Sequence, residues 1–141
     1  MLTVFLVNSL VIALTVIIHY EFLFNLTRLM RVTTIKHRFR IVLGVLGALI
    51  AHAAEIWLFA LAYYFMNDSS RWGHLEGQFH GTLFDCVYFS FTTFTTLGFG
   101  DIQPQGDIRY LTGLESLTGL VLITWTASFL YLEMQRYWDS D

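Results

Sequence analysis

Charged residues are scarce in this chain of 141 residues. Asp, Glu, Lys and Arg make up 13% of it and apolar residues 55%, whereas charged residues alone make up about 25% of an average globular protein. A soluble domain of ordinary composition is excluded, because this much apolar surface has to face an apolar environment such as lipid. The net charge is only −3, and no basic cluster is interleaved with aromatic residues, so we expect no nucleic-acid partner.

Cysteine and proline each occur once, as Cys86 and Pro104. A single cysteine excludes an internal disulfide and a C-x-x-C metal or redox site. No nucleophile, base and orienting group occur together. We therefore expect neither an enzyme nor a cofactor.

Three apolar stretches, over residues 2–20, 41–66 and 110–132, approach or exceed the length of a membrane span. A helix needs about 20 apolar residues to cross a hydrocarbon core about 30 Å thick. The alternative for the first stretch is a signal peptide, although it lacks a basic amino-terminal region and a small-residue cleavage site. The sequence predicts an integral membrane protein with three transmembrane helices.

A fourth apolar stretch, residues 81–94, is too short to span and ends in a run rich in threonine. Apolar stretches of about 10–14 residues are typical of re-entrant segments. We predict a short helix over residues 82–94 that enters the bilayer and returns on the same side.

Basic residues indicate the orientation in the membrane. Five of the eight Lys and Arg residues lie between the first two spans: Arg28, Arg31, Lys36, Arg38 and Arg40. Positive charge concentrates in cytoplasmic loops. We therefore expect an external amino terminus, an external loop over residues 67–80 and a cytoplasmic carboxyl terminus.

The run Thr95-Thr96-Leu97-Gly98-Phe99-Gly100-Asp101 follows the short helix directly. Alternate glycines permit backbone angles that other residues avoid. At membrane depth such irregular backbone survives only inside protein or along a wet cavity. Several copies of this run, with their carbonyls turned to one side, would form rings of oxygen that replace the hydration shell of a cation. The carboxyl end of the preceding helix would direct its negative dipole toward that ion.

This run resembles the filter of the potassium channel superfamily, T-x-T-T-V-G-Y-G-D. Six positions match outright, while Leu97 replaces valine and Phe99 replaces tyrosine; the matching residues are Thr93, Thr95, Thr96, Gly98, Gly100 and Asp101. The resemblance covers about residues 41–132 and suggests a small prokaryotic-type member with an additional amino-terminal helix.

The resemblance implies an all-α membrane protein, assembled as a homotetrameric pore. Residues 1–40 would form the additional transmembrane helix and a basic cytoplasmic loop. Residues 41–141 would form the pore domain, with an outer helix (41–66), an external loop (67–80), a pore helix (82–94), a filter (95–101), an inner helix (109–132) and a short cytoplasmic tail. The expected membrane is the inner cell membrane.

The resemblance also implies which residues bind potassium. Backbone oxygens of five residues would coordinate the ions: Thr96, Leu97, Gly98, Phe99 and Gly100. Thr95 and Asp101 would support the filter. In some family members a carboxylate at the position of Thr92 shares a proton with the filter aspartate; threonine cannot ionise, so Asp101 needs another partner. Because Leu97 and Phe99 depart from the family pattern, a weakly selective cation channel is the nearest alternative.

Four residues inside the predicted spans have two interpretations each. Gly119 lies where the family has a hinge glycine, and it equally suits close helix packing. His52 and Glu55 share one helical face and can pair with each other or with Glu115. Ionisable residues at membrane depth are candidates for function, so they can serve as a proton or metal sensor or form a static hydrogen-bonded pair. Two ligands are too few for a metal without contributions from other helices.

Four sources of regulation remain open. The tail after Leu132 is too short for a regulatory domain, so we expect gating to come from the filter, from the membrane or pH, or from a separate regulatory subunit. A non-conducting sensor or accessory subunit that uses His52 and Glu55 is the alternative function from a different class.

Overall fold

A computed structural model describes residues 2–32, 37–68 and 71–138. In chain order the elements are α1 (Leu2–Val32), α2 (His37–Asp68), β1 (His74–Gly77), α3 (Leu83–Phe94), β2 (Ile102–Gln105) and α4 (Ile108–Trp138). Helix dominates, and α1, α2 and α4 are far longer than α3.

The three long helices each contain a 29-residue apolar segment long enough to cross a membrane. At about 1.5 Å per residue such a segment is about 43 Å long, which exceeds the hydrocarbon core. Most large apolar side chains on these helices are exposed in the isolated chain, Leu2 to 73% and Phe65 to 66%. The chain is therefore an integral membrane protein with three candidate spans.

Helix α1 buries one narrow face against the other helices. Its buried residues recur every three or four positions: Val4, Asn8, Val11, Thr15, His19, Leu23, Leu26 and Met30. This spacing is that of one helical stripe. Three of its members are polar and fully buried (Asn8, Thr15 and His19), and His19 bonds to Glu55 of α2, so a polar contact as well as packing places α1.

Small residues on α2 allow its neighbours to approach closely. A Cβ atom on Gly47 would lie 2.7 Å from Leu26 of α1, and one on Gly44 would lie 3.0 Å from Leu130 of α4. Close approach at small residues is the usual packing of helices in membranes.

Helix α3 packs between α2 and α4 at one end of the molecule. Its buried side chains join an apolar core that contains Phe59, Tyr63, Phe89, Phe94 and Leu122. It begins at Leu83, with Thr82 as its N-cap, and ends at Phe94. The short apolar helix predicted over residues 82–94 is present.

A small antiparallel sheet joins the segments that precede and follow α3. Strand β1 pairs with β2, and Leu75 lies opposite Pro104. Leu75 and Ile102 turn inward and are both 5% exposed. The expected fold was all-α, with a loop over residues 67–80, whereas β1 lies within that loop and β2 follows the TTLGFGD sequence. The two strands were missed because a four-residue strand with a single buried side chain leaves no clear alternation.

The long helices extend beyond the predicted bounds. Helix α2 begins at His37, before the predicted start at 41, and α4 continues to Trp138, after the predicted end at 132. Much of the segment predicted as a tail is therefore helical. Of the basic residues assigned to the cytoplasmic loop, Arg28 and Arg31 belong to α1, Arg38 and Arg40 belong to α2, and Lys36 lies outside the described residues.

Candidate functional site

The start of α3 is fixed by a capping box. Asp85 N–H donates to Thr82 Oγ1 (3.1 Å), and Asp85 Oδ2 accepts from the N–H groups of Thr82 (3.1 Å) and His80 (3.0 Å). Desolvation tends to raise the pKa of the Asp85 carboxyl, but the hydrogen bonds from Thr82 and His80 hold that pKa below its usual value. Satisfying these amino-terminal donors anchors the helix at its exposed end.

At its other end, α3 passes into residues 95–101, which we call the TTLGFGD segment. Thr96 N–H donates to Thr93 O (2.9 Å) and Gly98 N–H to Thr92 O (3.0 Å). These bonds use the last carbonyls of α3, which have no partner within the helix. The beginning of the segment is thereby held against the helix end.

Every second residue in the middle of this segment has a left-handed backbone. The φ angles are +60° at Thr96, +51° at Gly98 and +79° at Gly100. Glycine adopts such angles without steric cost, whereas Thr96 is the sole non-glycine residue with positive φ in the part of the chain that the structure describes. The alternation predicted from the glycine spacing is therefore matched by the backbone angles.

The TTLGFGD segment is exposed in the isolated chain. Leu97 is 63% and Phe99 66% exposed, and no atom lies within 4 Å of a Cβ built on Gly98 or Gly100. Across residues 2–32, 37–68 and 71–138 the carbonyls of residues 96–99 accept no hydrogen bond, while Gly100 O accepts one from Gln103 Nε2 (3.2 Å). A row of backbone acceptors without protein partners calls for an external one, because unpaired backbone groups are costly away from water.

Asp101 ends the segment and is held from two sides. Its side-chain Oδ2 accepts a hydrogen bond from the Tyr88 hydroxyl of α3 (2.7 Å), and its carbonyl accepts from Gln78 N–H (2.8 Å). The hydrogen bond to Asp101 raises the pKa of Tyr88, with smaller contributions from desolvation and from the carboxylate charge. Tyr88 is thus the partner that Asp101 was expected to need.

Gly119 of α4 lies against the end of α3. A Cβ at this position would be 2.1 Å from the carbonyl oxygen of Phe94. A backbone oxygen cannot rotate away, so only glycine allows this approach. The structure thus gives Gly119 a packing role, and its role as a hinge stays a prediction.

Glu115 of α4 is fully buried and contacts α2 and α3. Its carboxyl group accepts from the Tyr63 hydroxyl of α2 (2.5 Å) and bonds to Ser90 Oγ of α3 (2.5 Å). Ser90 Oγ also donates to the Ile56 carbonyl (2.9 Å). Glu115 therefore ties α3 to both neighbouring helices, and within the described part of the chain it makes no hydrogen bond with His52 or Glu55.

A second buried polar cluster joins α1, α2 and α4. Glu55 Oε1 lies 2.7 Å from His19 Nδ1, and Glu55 Oε2 lies 2.9 Å from His52 Nδ1. On the far side of both rings, Thr126 Oγ1 lies 3.1 Å from His52 Nε2 and 3.4 Å from His19 Nε2. The pairing of His52 with Glu55 was one of the two alternatives left open, and His19 and Thr126 were missed.

The missed residues share one cause. Tyr88, His19 and Thr126 meet their partners only through the tertiary fold, over separations of 13 to 107 residues. The one sequence signal was that His19 and Thr126 are polar residues inside apolar stretches. Tyr88 carried no signal, since aromatic residues are common in apolar helices.

The part of the chain that contains the TTLGFGD segment is similar to known ion channels. A family model described as "Ion channel" matches residues 51–135. The inward rectifier potassium channel Kirbac3.1 of Paramagnetospirillum magnetotacticum is 34% identical over 80 residues, which cover 56% of this chain and 25% of that relative. The chain thus spans about a quarter of the length of this curated relative, and no solved structure matches it significantly. The family match includes α3, the TTLGFGD segment and most of α2 and α4, and leaves out α1.

Proposed function

The chain belongs to the ion channel family that its residues 51–135 match, and on this premise we propose that four copies form a potassium-selective channel. The observation that carries the proposal is the TTLGFGD segment, whose backbone alternates in handedness and whose carbonyls at residues 96–99 have no hydrogen-bond donor among the described residues. An enzyme is not part of this proposal, because a channel performs no covalent chemistry.

The alternating backbone supports ion coordination. In a regular extended strand, successive carbonyls point to opposite sides. A positive φ at every second residue turns neighbouring carbonyls toward the same side. A row of such oxygens replaces the water around a dehydrated cation, a mechanism for which potassium channels are the established example. The proposed ligand oxygens belong to Thr96, Leu97, Gly98, Phe99 and Gly100, of which Gly100 also accepts from Gln103.

Exposure of the segment supports assembly around an axis. One chain supplies only part of a ring, and Leu97 and Phe99 leave large apolar surfaces uncovered. Irregular backbone with unpaired carbonyls does not persist against lipid. If four copies met at this segment, the side chains of Leu97 and Phe99 would point away from the axis and be buried in protein. The backbone carbonyl oxygens would point toward the axis.

The position of α3 supports a re-entrant pore helix. Helix α3 has 12 residues, too few to span, and its carboxyl end adjoins the TTLGFGD segment. The carboxyl end of a helix carries partial negative charge, which favours a cation nearby. Thr95, whose Oγ1 donates to Phe91 O (2.6 Å), would fix the inner end of the filter, and Asp101 with Tyr88 would brace the outer mouth.

The remaining features follow from this arrangement. Exposed residues of α4 at helical spacing, Ile123, Ala127 and Tyr131, would line the inner vestibule. We propose an external amino terminus, a cytoplasmic carboxyl terminus and a location in the inner cell membrane. Bound potassium ions would be the one required ligand, with no organic cofactor. A separate regulatory subunit remains compatible with this assembly.

Potassium flux into liposomes tests the proposal. Gly98→Ala places a Cβ on a residue with φ of +51°, which costs about 1–2 kcal/mol in an L-residue and disturbs the carbonyl row. We expect wild-type protein to take up potassium in preference to sodium, and Gly98→Ala to lose this uptake without losing the oligomer.

Gly113→Ala is the matched control. Gly113 lies within α4, and no atom lies within 4 Å of a Cβ at that position, so this variant should retain the wild-type flux. Equal uptake of sodium and potassium would replace the proposal with a weakly selective channel. A correctly assembled wild-type protein without flux would favour the non-conducting sensor.

A further inference from the structure

The three ligating side chains of the buried cluster converge from two helices. His19 on α1 and Glu55 on α2 are both 0% exposed, and His52 on α2 is 14% exposed. One ligand atom from each residue, a ring nitrogen of each histidine and a carboxylate oxygen, lies within 4.8 Å of the other two. Two imidazoles and one carboxylate are a ligand set that zinc uses in proteins, with a fourth position left for water.

The orientation of the two rings fits metal ligation. Both imidazoles direct Nδ1 toward Glu55, and both direct Nε2 toward Thr126 Oγ1 (3.1 and 3.4 Å). A histidine that binds metal through one ring nitrogen usually donates the other N–H to an oxygen that fixes the tautomer. The Thr126 oxygen has two lone pairs and can accept from both rings at once. If both Nε2 atoms were instead unprotonated acceptors, the single hydroxyl hydrogen of Thr126 could bond to only one of them.

The spacing of the ligand atoms requires only a small adjustment. The hydrogen-bonded distances of 2.7 and 2.9 Å are shorter than the separation of about 3.3 Å between ligand atoms around a tetrahedral ion with bonds of about 2.0–2.1 Å. These distances run to different oxygens of Glu55, so a tetrahedral ion requires the side chains to open by roughly half an ångström and one of the two oxygens to become the ligand. His52, the partly exposed member, is where it would enter.

We propose that His19, His52 and Glu55 bind a divalent transition-metal ion such as Zn²⁺, with Thr126 orienting both imidazoles. The site connects α1, which lies outside the family match, to the part of the chain that matches ion channels. Metal binding would hold α1 against α2 and α4. The function of this additional helix would then be to complete the metal site. This proposal stands on the cluster alone and does not depend on ion conduction.

Cobalt binding to the full chain tests the site without measuring flux. Purified protein in detergent, stripped with a chelator, is titrated with Co²⁺, whose visible absorption reports four-coordinate geometry. We expect one Co²⁺ per chain, displaced by Zn²⁺. Thr126→Val, which preserves side-chain shape, should weaken binding about 10–100-fold. His19→Gln and His52→Gln should weaken it further, because each removes a ligand.

His74→Gln is the matched control, since His74 pairs with Glu76 (2.8 Å) on the exposed strand β1. This variant should bind cobalt as wild type does. Thermal unfolding of each metal-free variant shows whether it is folded. Absence of Co²⁺ and Zn²⁺ binding in folded wild-type protein would overturn the proposal, as would binding that His74→Gln abolishes and His52→Gln does not.

Discussion

Tyr88 shows how a single hydroxyl group can position the end of the TTLGFGD segment. It donates to Asp101 Oδ2 across 13 residues of sequence, from the exposed face of α3. Its hydrogen bond to a charged acceptor is of the stronger kind. Because Asp101 O also accepts a hydrogen bond from Gln78 N–H, Asp101 is held both by α3 and by the residue that follows β1.

Tyr88→Phe should remove a contribution to stability that depends on pH. The pKa of Tyr88 is raised by its hydrogen bond to Asp101, so this contribution is complete below the ordinary tyrosine value of about 10 and is lost as pH rises through the raised value. We expect the free energy of unfolding of the wild type to exceed that of Tyr88→Phe at pH 8, and this difference to vanish above the raised pKa of Tyr88. Denaturant unfolding from pH 8 upward measures the difference.

Tyr64→Phe is the control for Tyr88→Phe. Tyr64 and Tyr88 are both 41% exposed, and no hydrogen bond of the Tyr64 hydroxyl is found in the described part of the chain. Tyr64→Phe should follow the wild-type pH dependence. A difference between wild type and Tyr88→Phe that stays constant from pH 8 upward would contradict this account.

At the scale of residues, the sequence predicted the backbone of the TTLGFGD segment better than its contacts. Glycines at 98 and 100 predicted unusual backbone, and both have positive φ. The family pattern suggests a partner for Asp101 at the position of Thr92, whereas the observed partner is Tyr88, four residues earlier on α3. The pairing of His52 with Glu55 was predicted from their spacing on one helix. Such spacing says nothing about residues on other helices, so the contact with His19 of α1 was not predicted.

At the scale of elements, the contact between α3 and α4 depends on one glycine. Gly119 lets the Phe94 carbonyl lie where a Cβ would otherwise be. Nearby, Ser116 Oγ donates to Thr93 O (3.2 Å), and Glu115 bonds to Ser90. Three successive contacts therefore hold the carboxyl half of α3 against α4, next to the TTLGFGD segment.

Gly119→Ala should destabilise the protein, whereas Gly113→Ala should not. The added methyl group meets a backbone oxygen at 2.1 Å, and overpacking of this kind costs about 1–3 kcal/mol. Gly113→Ala adds a methyl group in open space and should stabilise α4 by about 0.5–1 kcal/mol. Thermal unfolding in detergent compares the two variants. If Gly119→Ala unfolds at the wild-type temperature and changes only gating, the hinge interpretation is favoured.

Element lengths were predictable because membrane thickness sets them. Three stretches long enough to span and one too short to span predicted α1, α2, α4 and α3, and the three long apolar helices are confirmed. The sheet was not predictable, since β1 and β2 have four residues each and depend on pairing across α3. Helix ends were also uncertain, because polar residues such as His37 and Arg136 continue the helices beyond their apolar segments.

At the scale of the whole molecule, the isolated chain is incomplete as a membrane protein. Its TTLGFGD segment exposes apolar side chains and unpaired carbonyls at the same place. Lipid can cover Leu97 and Phe99 but cannot satisfy backbone carbonyls. The predicted membership of the potassium channel superfamily is confirmed by the family match and the potassium channel relative; the tetramer and the selectivity are proposals that rest on this exposure.

The oligomeric mass tests the assembly. Light scattering that separates protein from bound detergent should give four times the chain mass of 16.3 kDa, because four identical segments are proposed to complete the oxygen rings. Gly98→Ala should give the same mass, since it alters the ring and leaves the helix contacts in place. A stable monomer or dimer with potassium flux would contradict a four-fold axis at this segment.

The most direct test of potassium coordination by the TTLGFGD segment is the reversal potential of the purified protein in a planar bilayer. With a tenfold potassium gradient balanced by sodium on the other side, a potassium-selective filter should bring the reversal potential close to about 59 mV in magnitude, with the sign set by potassium. A reversal potential near zero under the same gradient would show that sodium passes equally well and would contradict the proposed coordination.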